Sequence, residues 1–181
     1  PVRPEVLDAM LPYLRDTFGN PGSIHRFGRE ARRAIDDARD QVAALINADP
    51  REIIFTSGGT ESDNMAIRGA LAALPNRRHL IVSSVEHHAV LHPAEYAHKY
   101  DGVELTTLGV DPDGRIHLEE LSTVISDKTA LVSVMHGNNE TGTIQPVDEI
   151  AERCASRGAL YHCDTVQSIG KVAIDVSRWP V

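Results

Sequence analysis

Nowhere in the 181 residues does an apolar run approach the length needed to cross a bilayer, and the opening Pro1-Val2-Arg3-Pro4 lacks a signal-peptide layout. A cytoplasmic protein, with no membrane partner, is the expectation. A basic excess is also missing. Lys and Arg number 18 against 26 Asp and Glu, a net charge of -8, which disfavours nucleic acid and anionic lipid surfaces. The one basic cluster, Arg29, Arg32 and Arg33, is offset by Glu30, Asp36, Asp37 and Asp40, so it reads as the solvated face of a helix. Cysteine is scarce: Cys154 and Cys163 stand too far apart for a CxxC pair, and both are expected to be free thiols that pack. Internal repeats, low-complexity stretches and linkers are absent too. The expectation is one well-buried core over 23–181, preceded by a helix and loop over 1–22.

What is present is ordinary globular composition, 41% hydrophobic and 24% charged, arranged in a rhythm. Val6, Leu7, Met10, Leu11 and Leu14 fall at helical spacing over 5–18, interrupted by Pro12, and lead into the turn Gly19-Asn20-Pro21-Gly22. Ser23 is placed to cap a long helix to about residue 47. From Arg51 onward, strand-like runs alternate with helical stretches. The runs are Ile53-Ile54-Phe55, Leu80-Ile81-Val82, Val103-Glu104-Leu105, Leu131-Val132-Ser133-Val134 and Leu160-Tyr161; the helices span 62–74, 88–100, 118–125 and 147–157. This alternation predicts an α/β fold, three-layer αβα with a mostly parallel sheet and right-handed crossovers. Ligands of such sheets bind beyond the carboxyl ends of the strands, so polar residues just after each apolar run are the candidates.

Four such strand ends stand out. Ser57-Gly58-Gly59-Thr60 joins a strand to a helix: glycines let backbone N–H groups approach an anion, and the helix dipole adds to its binding, although an ordinary tight turn has the same composition. The turn matches neither GxxxxGK[ST] nor GxGxxG. In Glu86-His87-His88, with His92 following, the histidines read either as metal ligands on one helix face or, for His87, as an imidazole lying over a planar cofactor or moving protons. The second reading suits a strand end better, and no metal is expected. In Asn138-Asn139-Glu140-Thr141-Gly142, turn structure accounts for Gly142 and one asparagine, and the other invites a hydrogen-bonding role.

The fourth end, His162-Cys163-Asp164-Thr165-Val166-Gln167, runs an apolar strand into an acid. A carboxylate there is costly unless a cation meets it, and Lys171 is the only basic residue nearby in sequence. Asp164 is either a helix cap or the partner of a cation that folds in or belongs to a ligand. A carboxylate facing a pyridine nitrogen keeps that nitrogen protonated and makes the ring an electron sink, as for pyridoxal phosphate; Gln167 would then contact the ring's phenolic oxygen.

With these segments assembled, the chain resembles the NifS/IscS type of cysteine desulfurase, in the class-V aminotransferase family and the fold-type I, aspartate-aminotransferase-like group of pyridoxal-phosphate enzymes. The resemblance rests on five motifs in family order: Gly19-Asn20-Pro21-Gly22-Ser23-Ile24-His25; Phe55-Thr56-Ser57-Gly58-Gly59-Thr60-Glu61-Ser62-Asp63-Asn64; Glu86-His87-His88-Ala89-Val90-Leu91; Met135-His136-Gly137-Asn138-Asn139-Glu140-Thr141-Gly142; and His162 to Lys171. It implies that Gly59 and Thr60 hold the cofactor phosphate, and that His87 stacks on the ring and acts catalytically. It further implies that Asn139 lies near the ring oxygen and substrate, Asp164 pairs with the ring nitrogen, and Gln167 bonds the ring oxygen. The implied reaction takes sulfur from L-cysteine, leaving L-alanine and an enzyme persulfide for iron–sulfur cluster or other sulfur transfer. The implied partners are a sulfur-acceptor or scaffold protein and a second subunit in a homodimer.

The chain also departs from the family pattern. Lys99, Lys128 and Lys171 are its only lysines, and none has the Ser-x-His-Lys context of the family's Schiff-base lysine. The sulfur-accepting cysteine loop, the arginine for the substrate carboxylate, the opening Asn-Asn-Ala-Thr-Thr-like run and the smaller C-terminal domain have no counterparts. The resemblance therefore implies a partial large domain over 23–181, inactive by itself. Three alternatives stand beside it: a selenocysteine lyase or other enzyme of this fold, a non-catalytic half of a split enzyme or scaffold, and a metal-dependent enzyme using His87, His88 and His92.

Overall fold

The computed structural model describes residues 1–179. Residues 180 and 181, the last two of the span expected to form the main domain, lie outside the described part. Internal contacts divide the chain into two compact units, Pro1–Ile54 and Phe55–Val181.

The first unit is helical. Helix α1, Pro4–Arg15, starts on Pro4 with Glu5 in its first turn, which suits the missing N–H and the helix dipole, and it ends one turn after Pro12, whose carbonyl accepts from the N–H groups of Asp16 and Thr17. Helix α2, Arg26–Ile46, is not capped by Ser23 as the sequence suggests. The cap is His25, whose Nδ1 accepts from the Gly28 N–H at 3.2 Å. Ser23 is drawn instead into the preceding turn, where its N–H donates to the Asn20 carbonyl at 3.0 Å. Gly28 is needed there, because a Cβ would sit 2.2 Å from the Ser23 carbonyl oxygen. A second correction concerns Ile53-Ile54-Phe55. These residues form none of the strands; Arg39 Nε donates to the Ile53 carbonyl, and Ile54 is exposed.

The second unit carries the α/β architecture. Helix α3, Gly59–Ala73, precedes strand β1, His79–Ser83; α4, His88–Asp101, leads to β2, Glu104–Leu108; α5, Leu118–Val124, to β3, Thr129–Ser133; and α6, Val147–Arg157, to β4, Leu160–His162. The strands form one parallel sheet in the order β2-β1-β3-β4, with Ile81 opposite both Thr106 and Val132, and Val132 opposite Tyr161. The central strands β1 and β3 are buried throughout, as expected of apolar runs covered on both faces.

Alternation along the strands feeds two cores. Leu80 and Val82 pack with Ile67 and Leu71 of α3 and Val90 and Ala94 of α4, while Ile81 and Val132 pack with Leu121 of α5 and Ile150 and Cys154 of α6. Helices on both faces make the three-layer αβα arrangement. The chain moves outward from β1 to β2 through α4, then reverses to β3 and β4 through helices on the opposite face. Keeping one crossover hand while reversing direction requires that change of face. Gly102 and Gly158 end α4 and α6 at φ of 68° and 63°, a conformation glycine takes without a Cβ penalty. Both cysteines are free, and burial pushes each thiol up to about 12, so they pack rather than react. Reversal of strand order leaves a crevice between the carboxyl ends of β1 and β3.

Candidate functional site

One wall of that crevice is the start of α3. Gly58, the N-cap, offers no side chain to the helix, and its carbonyl takes the N–H groups of Glu61 and Ser62. No hydrogen bond within the described residues takes up the N–H groups of Gly59 and Thr60, which stand at the positive end of a 15-residue helix. Side chains hold the turn in shape. Ser57 donates its N–H and Oγ to Glu61 Oε2 at 2.7 and 2.5 Å, and Thr56 Oγ1 meets Ser62 Oγ at 2.7 Å. A Cβ on Gly59 would stand 3.3 Å from Val166 Cγ2, so a larger residue would narrow the space between the walls.

The turn after β1 supplies the second wall. His87 caps α4 by accepting the Ala89 N–H on Nδ1 at 3.1 Å, which leaves Nε2 to carry the proton of the neutral ring. Beside it, Glu86 is 6% exposed; its Oε1 accepts from Ser83 Oγ at 2.5 Å and from the Met135 N–H at 2.8 Å. Burial pushes this carboxyl up to about 7, against the pull of those two bonds. His88 stacks on His92 with ring centroids 4.8 Å apart, and among the described residues no cluster of three or more His, Cys, Asp or Glu is placed to hold a metal.

The two asparagines after β3 divide their work. Asn138 is committed to the turn: its Oδ1 accepts from the N–H groups of Glu140 and Thr141 at 2.9 Å, and its Nδ2 donates to the Val85 carbonyl at 3.1 Å. Asn139 is exposed and borders the crevice.

After β4, Asp164 does two things at once. Its Oδ1 accepts the Val166 N–H at 2.9 Å, a short-range bond, while the residue also borders the crevice. No helix begins at Asp164, so this bond closes a turn and the helix-cap reading does not hold. Behind it, His162 joins strand to helix: Nδ1 lies 2.8 Å from Ser133 Oγ, and Nε2 lies 3.4 Å from Oδ1 of the buried Asp63.

These elements enclose a cleft of about 280 Å³. Gly59, Thr60, His87, Asn139, Asp164 and Gln167, chosen from sequence at four separate positions, all border it. So do Asp63, Met135, Gly137 and Val166, which sequence reasoning had not singled out. Asp63 had one usable signal, its place one helical turn beyond Gly59 and hence on the same face. The lining carries both kinds of group: unpartnered N–H groups favour an anion, and Asp63 and Asp164 favour a cation. None of the three lysines borders the cleft.

The model of the aminotransferase class-V family matches residues 1–181. A cysteine desulfurase of Trichormus azollae is 48% identical over 175 residues, covering 97% of this chain and 44% of the relative. Among solved structures, a NifS-like protein superposes with a TM-score of 0.93 at 36% identity, covering 99% of this chain and 50% of that one. SspA in complex with cysteine superposes with a TM-score of 0.93 at 37% identity, covering 98% and 51%. The chain spans about half the length of the relatives it matches.

Proposed function

The chain belongs to the class-V aminotransferase family, and from that premise we propose that it is the cofactor-binding part of a cysteine desulfurase that takes sulfur from L-cysteine. Members of the family use pyridoxal 5'-phosphate, and the cleft has the chemistry to hold it. The free N–H groups of Gly59 and Thr60 suit a phosphate, and the Asp164 carboxylate suits a protonated ring nitrogen. When bound, the cofactor supplies an electron sink at its ring.

The chain's own residues have separable tasks. Asp164 holds the proton on the ring nitrogen. His87, with Nδ1 occupied by the Ala89 N–H, turns its Nε2–H edge to proton transfer and its ring face to stacking. Asn139 and Gln167 offer amide groups to the ring oxygen and the substrate, and Met135 and Val166 keep water off the ring's edges. In this reading residues 23–181 are part of the cofactor-binding large domain and residues 1–22 precede it. The longer protein is a cytoplasmic homodimer that hands its sulfur to an acceptor or scaffold protein.

What supports the reading is that six residues picked from four strand and helix ends border a single cleft. The test is to titrate the protein with pyridoxal phosphate and follow visible absorption. Saturable binding is expected, weakened about tenfold by Asp164→Asn, which removes one charge pairing of roughly 1.4 kcal/mol. Absence of binding, or equal binding by the variant, overturns the ring-nitrogen assignment. Alanine and sulfide are expected from the longer protein supplied with L-cysteine. Because no lysine borders the cleft, these 181 residues alone should yield neither.

A further inference from the structure

Among the described residues Asp63 and Glu86 are the buried carboxylates, and of the two only Asp63 borders the cleft. Glu86 Oε1 joins two strand ends, taking Ser83 Oγ from β1 and, from the segment after β3, the N–H of Met135, 49 positions from Glu86. The first of these ends runs directly into His87, and the second into Gly137 and Asn139, so one side chain sets the spacing of two cleft walls. Its other oxygen, Oε2, is fully buried and has no partner, a condition shared among the described residues only with His136 Nδ1.

Burial raises the affinity of Glu86 for a proton, and the opposing pulls of Ser83, the Met135 N–H and His162 are smaller. The groups that face it across the sheet are Tyr161, His162, Cys163 and Asp164. Tyr161 donates its hydroxyl to the Val134 carbonyl at 3.1 Å, and His162 is occupied by Ser133 and Asp63. Burial is the main influence and favours a proton on Glu86, and the half-buried Asp164 adds a small push in the same direction.

We propose that Glu86 is a positioning residue that, as the neutral acid, ties the His87 turn to the Met135 strand end. The cofactor arm of its test rests on the reading above; the other arms do not. Glutamine mimics the neutral acid in shape and keeps an oxygen for both donors, whereas alanine leaves Ser83 Oγ and the Met135 N–H unpaired in a buried place.

The experiment compares the protein with Glu86→Gln and Glu86→Ala. Infrared difference spectra between wild type and Glu86→Gln at pH 6 should show the band of one buried, protonated carboxyl group that fades as pH rises. The His87 ring resonances should stay in place in Glu86→Gln and move in Glu86→Ala. Pyridoxal phosphate should bind Glu86→Gln within about twofold of wild type and Glu86→Ala at least about tenfold more weakly. Loss of affinity in Glu86→Gln equal to that in Glu86→Ala, or absence of the protonated-carboxyl band, overturns the proposal. If wild type binds no pyridoxal phosphate, the functional reading fails while the infrared and resonance arms still decide the role of Glu86. Should Glu86→Ala not fold, Ser83→Ala removes one of the two donors and should shift the His87 resonances in the same direction.

Discussion

The two ends of one sheet are built to different rules. At the amino ends of the strands His79 has a partner on each ring nitrogen and spans three strands, with Nδ1 3.0 Å from Thr129 Oγ1 and Nε2 2.9 Å from Thr106 Oγ1. Nearby, Arg77 Nη1 donates to the carbonyls of Thr129, Arg157 and Gly158 at 3.2, 3.2 and 2.6 Å. At the carboxyl ends, by contrast, the Gly59 and Thr60 N–H groups and Glu86 Oε2 lack partners within the described residues. Saturated polar groups hold a fold together; unsaturated ones are kept in place at a cost, and here Gly59 and Thr60 border the cleft while Glu86 Oε2 is buried away from it.

Opposite pH responses should separate the two ends most sharply. Glu86 rises from 4.5 to about 7 on folding, so between those values the folded state binds more protons than the unfolded chain and stability falls as pH rises. The expected loss is about 3 kcal/mol across that window, absent in Glu86→Gln and measurable by urea unfolding at pH 5 and pH 8. His79 responds with the other sign. Burial lowers its affinity for protons below the ordinary 6.5, so its contribution is present above 6.5 and is lost as pH falls. Replacing Thr129 by Val should cost about 2 kcal/mol, because it strands the Ser126 N–H and one ring nitrogen of His79 while leaving cofactor affinity unchanged. Arg77→Ala should cost somewhat less, about 1 kcal/mol, since its contacts are partly exposed, again without an effect on binding. The smallest stability effect belongs to the carboxyl end: Gly59→Ala should change the unfolding midpoint little yet weaken pyridoxal phosphate binding, because its methyl group meets Val166 at 3.3 Å. A destabilising Gly59→Ala, or a Thr129→Val that abolishes binding, would erase the distinction between the ends.

Much of the second unit was legible before any coordinates. The runs at Leu80, Leu131 and Leu160 became β1, β3 and β4, and the helix over Val147–Arg157 was read to its ends, because Pro146 and Gly158 bracket it. Where reading failed, composition was not enough: Ile53-Ile54-Phe55 has strand composition, yet strand propensity depends on context and no strand is formed there. Ser23 and His25 are both able to cap α2, and the turn from Asn20 took Ser23. In the cleft, the residues that announce themselves are polar and follow apolar runs, as Asp164 and His87 do. Asp63 is hidden within a helix, and Val166 and Met135 look like any core residue; only their neighbours give them a place in the cleft. The resemblance to cysteine desulfurases was legible as well, since five motifs in order seldom coincide.

Local composition alone determined the alternation of strand and helix, the turn at Gly58-Gly59 and the acid at the end of β4, because hydrophobic periodicity and backbone freedom act over a few residues. Only the tertiary structure decided which asparagine is committed to the turn, which acid borders the cleft and which lies beneath it, and that Glu86 joins two strand ends. Those outcomes depend on burial and on hydrogen-bond partners up to 53 residues away in the chain, and desolvation is a property of the assembled surroundings rather than of the residue.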